Sequence, residues 1–133
     1  MEGITLRGRE GESVKPMRTV TEPEFRARLA EVLASLPPVG SVTGPGRSGA
    51  VAAVYASHLL GVPFTPYGSR CPLHLGRLLL IDTARESGAT LRKAERRYRE
   101  ADPVVVACYE EPPRVAFWYE AVKPRRYKHE RAA

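Results

Sequence analysis

The sequence predicts an α/β fold, a mostly parallel sheet with helices against both faces, and three observations predict it. From residue 22 onward the apolar periodicities alternate as helix, strand, helix, strand, strand, helix, strand, strand. The runs Leu78-Leu79-Leu80-Ile81 and Val104-Val105-Val106 are apolar without alternation, which is how strands read when both faces are covered. Two glycine turns, at 44–49 and 86–90, each fall where an expected strand hands over to an expected helix. In sheets of this kind ligands bind beyond the carboxyl ends of the strands.

Residues 1–20 are mixed in character, and ITLRGREGESVKPM allows a short hairpin around Gly8 to Gly11. The first clear helix follows. Thr21 supplies an N-cap oxygen, Glu24 sits three residues on as in a capping box, and Pro23 is tolerated in a first turn. Phe25, Leu29, Val32, Leu33 and Leu36 keep helical spacing until Pro37-Pro38 stops it. VGSVT (39–43) reads as a short buried strand, GPGRSG (44–49) as a turn, and SGAVAAVYASHLLG as a helix of small residues closed by Gly61. VPFTPY is a second short strand, which its two prolines push toward a sheet edge.

RLLLID (77–82) is the strongest strand signal, and SGATLRKAERRYREA behind it turns Leu91, Ala94 and Tyr98 inward and its charges outward. DPVVVACYE makes a fourth strand. RVAFWYEAV makes a fifth, on which Phe117 and Tyr119 share one face and Trp118 takes the other. The tail KPRRYKHERAA is basic.

At 133 residues the chain has the size of one domain with its own core, so 1–133 reads as a single unit, with 1–20 and 110–133 at its margins. Hydrophobic residues make up 43% and charged residues 27%, ordinary values for a soluble globular protein. A net charge of +6 and a pI near 9.7 suit acidic partners such as phosphate esters or nucleic acid, and equally suit plain solubility. Arginine outnumbers lysine, which favours bidentate phosphate contacts. Cys71 and Cys108 stand far apart with no CxxC, and His58, His74 and His129 fall at no ligand spacing. A zinc site or disulfide framework is therefore not expected, and a reducing cytoplasm fits. The N-terminal stretch lacks the apolar core of a secretory signal, and no apolar run nears the roughly 18 residues of a membrane helix.

Strand, glycine turn and helix together form an anion cradle, because amides at a helix start carry partial positive charge and have no acceptor of their own. Ser87 and Thr90 add hydroxyls. Asp82, at the end of its strand, can accept hydrogen bonds from a sugar or hold a metal-bound water; capping the turn is its alternative role. Neither turn has the GxxxxGK[ST] spacing of a P-loop. GPGRSG does match GxGxxG, but a dinucleotide site needs an acid at the end of the next strand, and VPFTPYG offers none.

LLLIDTARESGAT (78–90) resembles the phosphoribosyl-diphosphate motif of type I phosphoribosyltransferases: four apolar residues, acids, then a small loop ending Ser-Gly-x-Thr. VTGPGRSGAVAAVYASHLLGVPF resembles an earlier segment of the same family, and together the likeness spans roughly residues 39–109. The resemblance implies a three-layer α/β/α fold with a small hood supplied by the chain termini, and usually a homodimer.

It also implies that Glu86, Ser87, Gly88, Ala89 and Thr90 cradle the 5-phosphate of 5-phosphoribosyl 1-diphosphate (PRPP). Gly44, Pro45, Gly46, Arg47, Ser48 and Gly49 would face the diphosphate, and Asp82 with Thr83 the ribose. Magnesium (Mg2+) would sit mainly on the ligand's own oxygens and on water near Asp82. A ring nitrogen of a nucleobase would displace diphosphate. Glu86 occupies the slot of an acid that manages a purine's proton, and Phe117 or Trp118, the latter the better single choice, could stack on the base.

The sequence departs from the family pattern at three places. Thr83 stands where a second acid is usual, Arg85 replaces an apolar residue, and the stretch between VPF and RLLLID leaves no length for a long lid. No lysine follows VVVACYE to read a purine oxygen. Two functions from different classes therefore remain. One is an active nucleobase phosphoribosyltransferase. The other is a non-catalytic nucleotide- or RNA-binding regulator that uses the basic tail Lys123, Arg125, Arg126, Lys128 and Arg131.

Overall fold

The computed structural model describes residues 18–85, 87–110 and 115–120; the hairpin expected at Gly8 to Gly11 and the basic tail lie outside them. Helix α1, Glu22–Ala34, begins at Thr21, whose extended backbone lets its hydroxyl oxygen accept the Glu24 N–H at 3.3 Å. Phe25, Leu29 and Leu33 form the buried stripe of this helix. Thr21→Ala should lower stability by about 1 kcal/mol, read as an earlier urea midpoint that Thr21→Ser largely restores. An unchanged midpoint would remove the cap from the account.

The central sheet is parallel, in the order β2-β3-β4, with β2 at Ser41–Thr43, β3 at Leu78–Ala84 and β4 at Val104–Tyr109. Ser41 pairs with Leu78 and Leu79 with Val104. VPFTPY contributes only one parallel bridge, Phe64 to Val42, rather than a strand. Pro63 and Pro66 carry no N–H, so the ladder stops at Val42 N–H to Pro63 C=O and Thr65 N–H to Val42 C=O.

Successive residues of β3 face opposite layers, which is why its first four residues, Leu78 to Ile81, are all apolar. Leu79 and Ile81 pack with Phe25, Leu29, Val42, Ala52, Ala53 and Ala56, beneath α1 and α2 (Gly46–Leu60). Leu78 and Leu80 pack with Ala94, Tyr98 and Ala101, beneath α3 (Ala89–Arg97) and the short 3-10 turn after it. The expected three-layer α/β/α arrangement is present, and Leu91, Ala94 and Tyr98 do point inward.

A second, two-stranded parallel sheet pairs β1 (Arg18–Val20) with β5 (Val115–Phe117), joining the two ends of the described chain. The fifth strand is shorter than RVAFWYEAV suggested. The Glu120 carboxylate accepts the Phe117 N–H at 3.0 Å and turns Trp118–Glu120 into a 3-10 turn. The connector before β3 is tied down: the Tyr98 hydroxyl accepts the Gly68 N–H and donates to the Ser69 carbonyl, both at 2.8 Å. Both cysteines are free thiols, and among the described residues no helix is long and apolar enough to cross a membrane.

Candidate functional site

Strand β2 leads through α2 to the Phe64 bridge on one side of it, whereas β3 pairs on its other side. The chain thus reverses direction across the sheet between β2 and β3. Loops leaving two such strands diverge and open a crevice above their carboxyl ends. Here those loops are the two glycine turns.

The first turn is shorter than GPGRSG suggested, because Gly46 to Gly49 already form the first turn of α2 with Pro45 as its N-cap. No side chain caps this helix, and the first N–H taken up is that of Gly49, by the Pro45 carbonyl at 3.1 Å. The N–H groups of Gly46, Arg47 and Ser48 are therefore the open ones. Gly46 has φ +70°, in the left-handed region. Gly44 and Gly49 are glycines for a steric reason: a Cβ on Gly44 would lie 2.1 Å from the Gly49 oxygen, and one on Gly49 would lie 2.7 Å from the Gly44 carbonyl carbon.

In the second turn Gly88 is buried, adopts φ +83° and precedes α3. The Ser87 hydroxyl oxygen accepts the Ala89 N–H at 3.2 Å, and the helical ladder starts with Arg92 N–H to the Gly88 carbonyl. The amides of Thr90 and Leu91 are left by helix geometry without acceptors. Glu86 lies outside the described residues.

Both turns open onto one cleft of about 300 Å³, lined by Ser48 from the first and by Ser87, Gly88 and Thr90 from the second. Asp82 and Thr83 line it from the end of β3, and Phe117 and Glu120 from β5 and the turn after it. Partial burial pushes the Asp82 carboxyl up to about 6, against hydrogen bonds from the Thr83 backbone and hydroxyl that favour its charged form. The Thr83 N–H meets it at 2.7 Å. Tyr119 donates to the Ser48 hydroxyl at 2.9 Å. That bond ties the turn after β5 to the first loop.

The remaining candidates sort by position. Gly44, Pro45 and Gly49 are buried and shape the first turn, while Arg47 and Ala89 are exposed and do not line the cleft. Trp118 is not at the cleft. Its ring packs 5.6 Å from Phe25 and 6.3 Å from Tyr55, because the 3-10 turn rotates it toward the core instead of continuing a strand. Phe117 does line the cleft, stacked on Tyr119 with ring centroids 5.7 Å apart. Arg85, in its unusual position, stands 3.8 Å from Glu110. Sequence reasoning missed Tyr119 and Glu120. Their only signal was the acid three residues after Phe117, a capping-box spacing hidden inside an apparent strand.

A larger cleft of about 620 Å³ lies between the connector at Gly68–His74 and the far end of α3. Its Tyr98 hydroxyl and Arg97 guanidinium are engaged by the backbone of Gly68 and Ser69, and neither the ends of β2 to β4 nor the starts of α2 and α3 line it. The smaller cleft is therefore the better-built site for a polar ligand.

No protein-family model matches the chain, and no curated protein sequence matches it. Among solved structures, the chain resembles the Helicobacter pylori xanthine-guanine-hypoxanthine phosphoribosyltransferase with a TM-score of 0.60 at 13% identity, over 80% of this chain and 93% of that one. It also resembles a hypothetical protein from Neisseria gonorrhoeae solved with bound ppGpp, with a TM-score of 0.50 at 14% identity, over 78% of this chain and 82% of that one. At these identities the likeness is one of architecture: the chain has a phosphoribosyltransferase-like fold.

Proposed function

We propose that the chain is a nucleobase phosphoribosyltransferase, a pentosyltransferase that moves the phosphoribosyl group of PRPP to a base, a purine by preference, and releases diphosphate. The observation that carries this reading is convergence. Two helix starts with open amides and a partly buried carboxylate meet in one cleft at the switch point of a parallel sheet. The motif at 78–90 and the fold likeness to the H. pylori enzyme support the same reading.

In this reading Ser87 to Thr90 hold the 5-phosphate. Ser48 and the open amides of Gly46 to Ser48 hold the diphosphate, with Arg47 adding positive charge nearby. Asp82 accepts from a ribose hydroxyl, and Thr83 orients it. Phe117 offers an aromatic wall to the base, and Glu86 manages the base's proton. As the bond from the anomeric carbon to diphosphate lengthens, the sugar becomes cation-like and negative charge gathers on the leaving oxygens. Fixed donors aimed at those oxygens lower the barrier without reorganising.

Among the described residues no group of three or more His, Cys, Asp or Glu forms a metal cage. In this reading Asp82, at the end of β3, would steady magnesium held mainly by the ligand's oxygens and water. Bound there, magnesium supplies charge neutralisation for the diphosphate.

A thermal-shift panel of PRPP with magnesium, nucleobases and nucleoside monophosphates tests the reading. A ligand at 100 times its Kd adds about 2.7 kcal/mol, so PRPP should raise the melting temperature clearly, and the right base should then release diphosphate. No shift with PRPP would overturn the proposal. A second reading, a non-catalytic nucleotide-binding regulator, is favoured by Thr83 in place of an acid and by the ppGpp bound to the N. gonorrhoeae protein. It predicts a shift with nucleotides and no diphosphate release with any base.

A further inference from the structure

We propose that Glu120 is the second carboxylate of the sugar site, accepting a ribose hydroxyl alongside Asp82 and making the cleft select a vicinal diol over a deoxy-sugar. The inference rests on reading the cleft as a sugar-phosphate site. Asp82 and Glu120 are the carboxylates that line it among the described residues, one from the end of β3 and the other from the turn after β5.

Both carboxylates lie close to one phenol. Burial raises the Tyr119 hydroxyl first, Ser48 and Thr83 pull it back, and the charges of Glu120 and Asp82 each raise it further. Glu120 is also positioned rather than free. One of its oxygens is held by the Phe117 N–H at 3.0 Å, and its neighbour Tyr119 is anchored by the Phe117 stack and the 2.9 Å bond to Ser48.

The chemistry selects which part of a ligand meets Glu120. An ionised carboxylate only accepts hydrogen bonds, with about four lone-pair sites, of which the Phe117 N–H uses one. Phosphate oxygens offer no donors and are repelled by it, so the phosphates stay at the two helix starts. A ribose diol offers two donors. Where the related motif carries adjacent acids, this chain has Asp82 followed by Thr83, and Glu120 returns the missing charge from a different element.

The test is binding of ribose 5-phosphate and 2-deoxyribose 5-phosphate, by calorimetry, to the wild type and to Glu120→Gln. Glutamine keeps an oxygen for the Phe117 N–H, so the turn survives, and an unchanged melting temperature verifies it. The wild type should prefer the ribose sugar by about tenfold, the worth of one charge-assisted hydrogen bond. Glu120→Gln should erase the preference while leaving the deoxy-sugar's affinity in place, and Glu120→Asp should retain part of it. Equal preference in wild type and Glu120→Gln would overturn the role of Glu120 alone. Failure of the wild type to bind either sugar phosphate would overturn the sugar-phosphate reading beneath it.

Discussion

Gly44→Ala should destabilise the protein by about 3 kcal/mol, one of the two largest effects expected of a single methyl or atom change at the site. The added Cβ would sit 2.1 Å from the Gly49 oxygen and 2.5 Å from the Ile81 oxygen. Both are backbone atoms, one in the first turn of α2 and the other within β3, and neither can rotate aside. Elsewhere glycine-to-alanine changes stabilise slightly, by restricting the unfolded chain; here overpacking dominates by a wide margin. The urea midpoint should fall by about 1–2 M, taking a typical slope for this size. Gly46→Ala is the contrast. Its Cβ meets nothing within 4 Å, so only the left-handed backbone resists, at a cost of about 1 kcal/mol. Equal losses in the two variants would show that the close approach of Gly44 to Gly49 and Ile81 does not govern the turn.

Asp82→Asn should separate stability from function. The Asp82 carboxyl titrates near 6 in the folded protein, above the 3.8 of an unperturbed aspartate, chiefly because burial disfavours its charge. Between those values the folded state holds more protons than the unfolded state, so stability falls as pH rises through about 4 to 6. The contribution is fully present below pH 4 and gone above 6. At pH 7.5 the charged group therefore costs on the order of 2 kcal/mol, reduced from the full linkage figure because the side chain is only partly buried.

Asparagine removes that cost. The variant should melt several degrees higher at pH 7.5, be no more stable than wild type near pH 4 and, on the proposed phosphoribosyltransferase reading, lose about 10²-fold in diphosphate release. A variant less stable than wild type at pH 7.5 would mean that Asp82 is a structural cap and not a strained binding group.

Much of this arrangement was legible in the residues. LLLID announced a central strand because Leu78 to Ile81 pack alternately against the two helix layers, and Thr21 with Glu24 placed the start of α1 to the residue. The Ser-Gly-x-Thr loop and the glycine turn were correctly expected above strand ends, and one cleft does join Ser48 with Ser87, Gly88 and Thr90. What stayed hidden depended on long-range pairing. Strand β1 has three residues and pairs Arg18 with Val115 across nearly the whole described chain, so it carries too little periodicity to be recognised alone.

The aromatic run FWYE looked like a strand because its composition favours one; the Glu120 carboxylate, by taking the Phe117 N–H, ended it. With the strand ended there, Trp118 packs against the core and Glu120 lines the cleft. Similarly, the glycines of GPGRSG argued for a loop on propensity, whereas the contact between Gly44 and Gly49 lets α2 begin at Gly46.

A single sugar diphosphate should touch both helix starts at once. Titrating PRPP with magnesium into isotope-labelled protein, and following the backbone amide resonances, tests this most directly. The amides of Gly46, Ser48, Gly88 and Thr90 should shift together with one apparent Kd, while those of Gly68 to Cys71 in the other cleft stay in place. Shifts confined to one turn, or appearing at Gly68 to Cys71 instead, would contradict a shared phosphate-binding crevice.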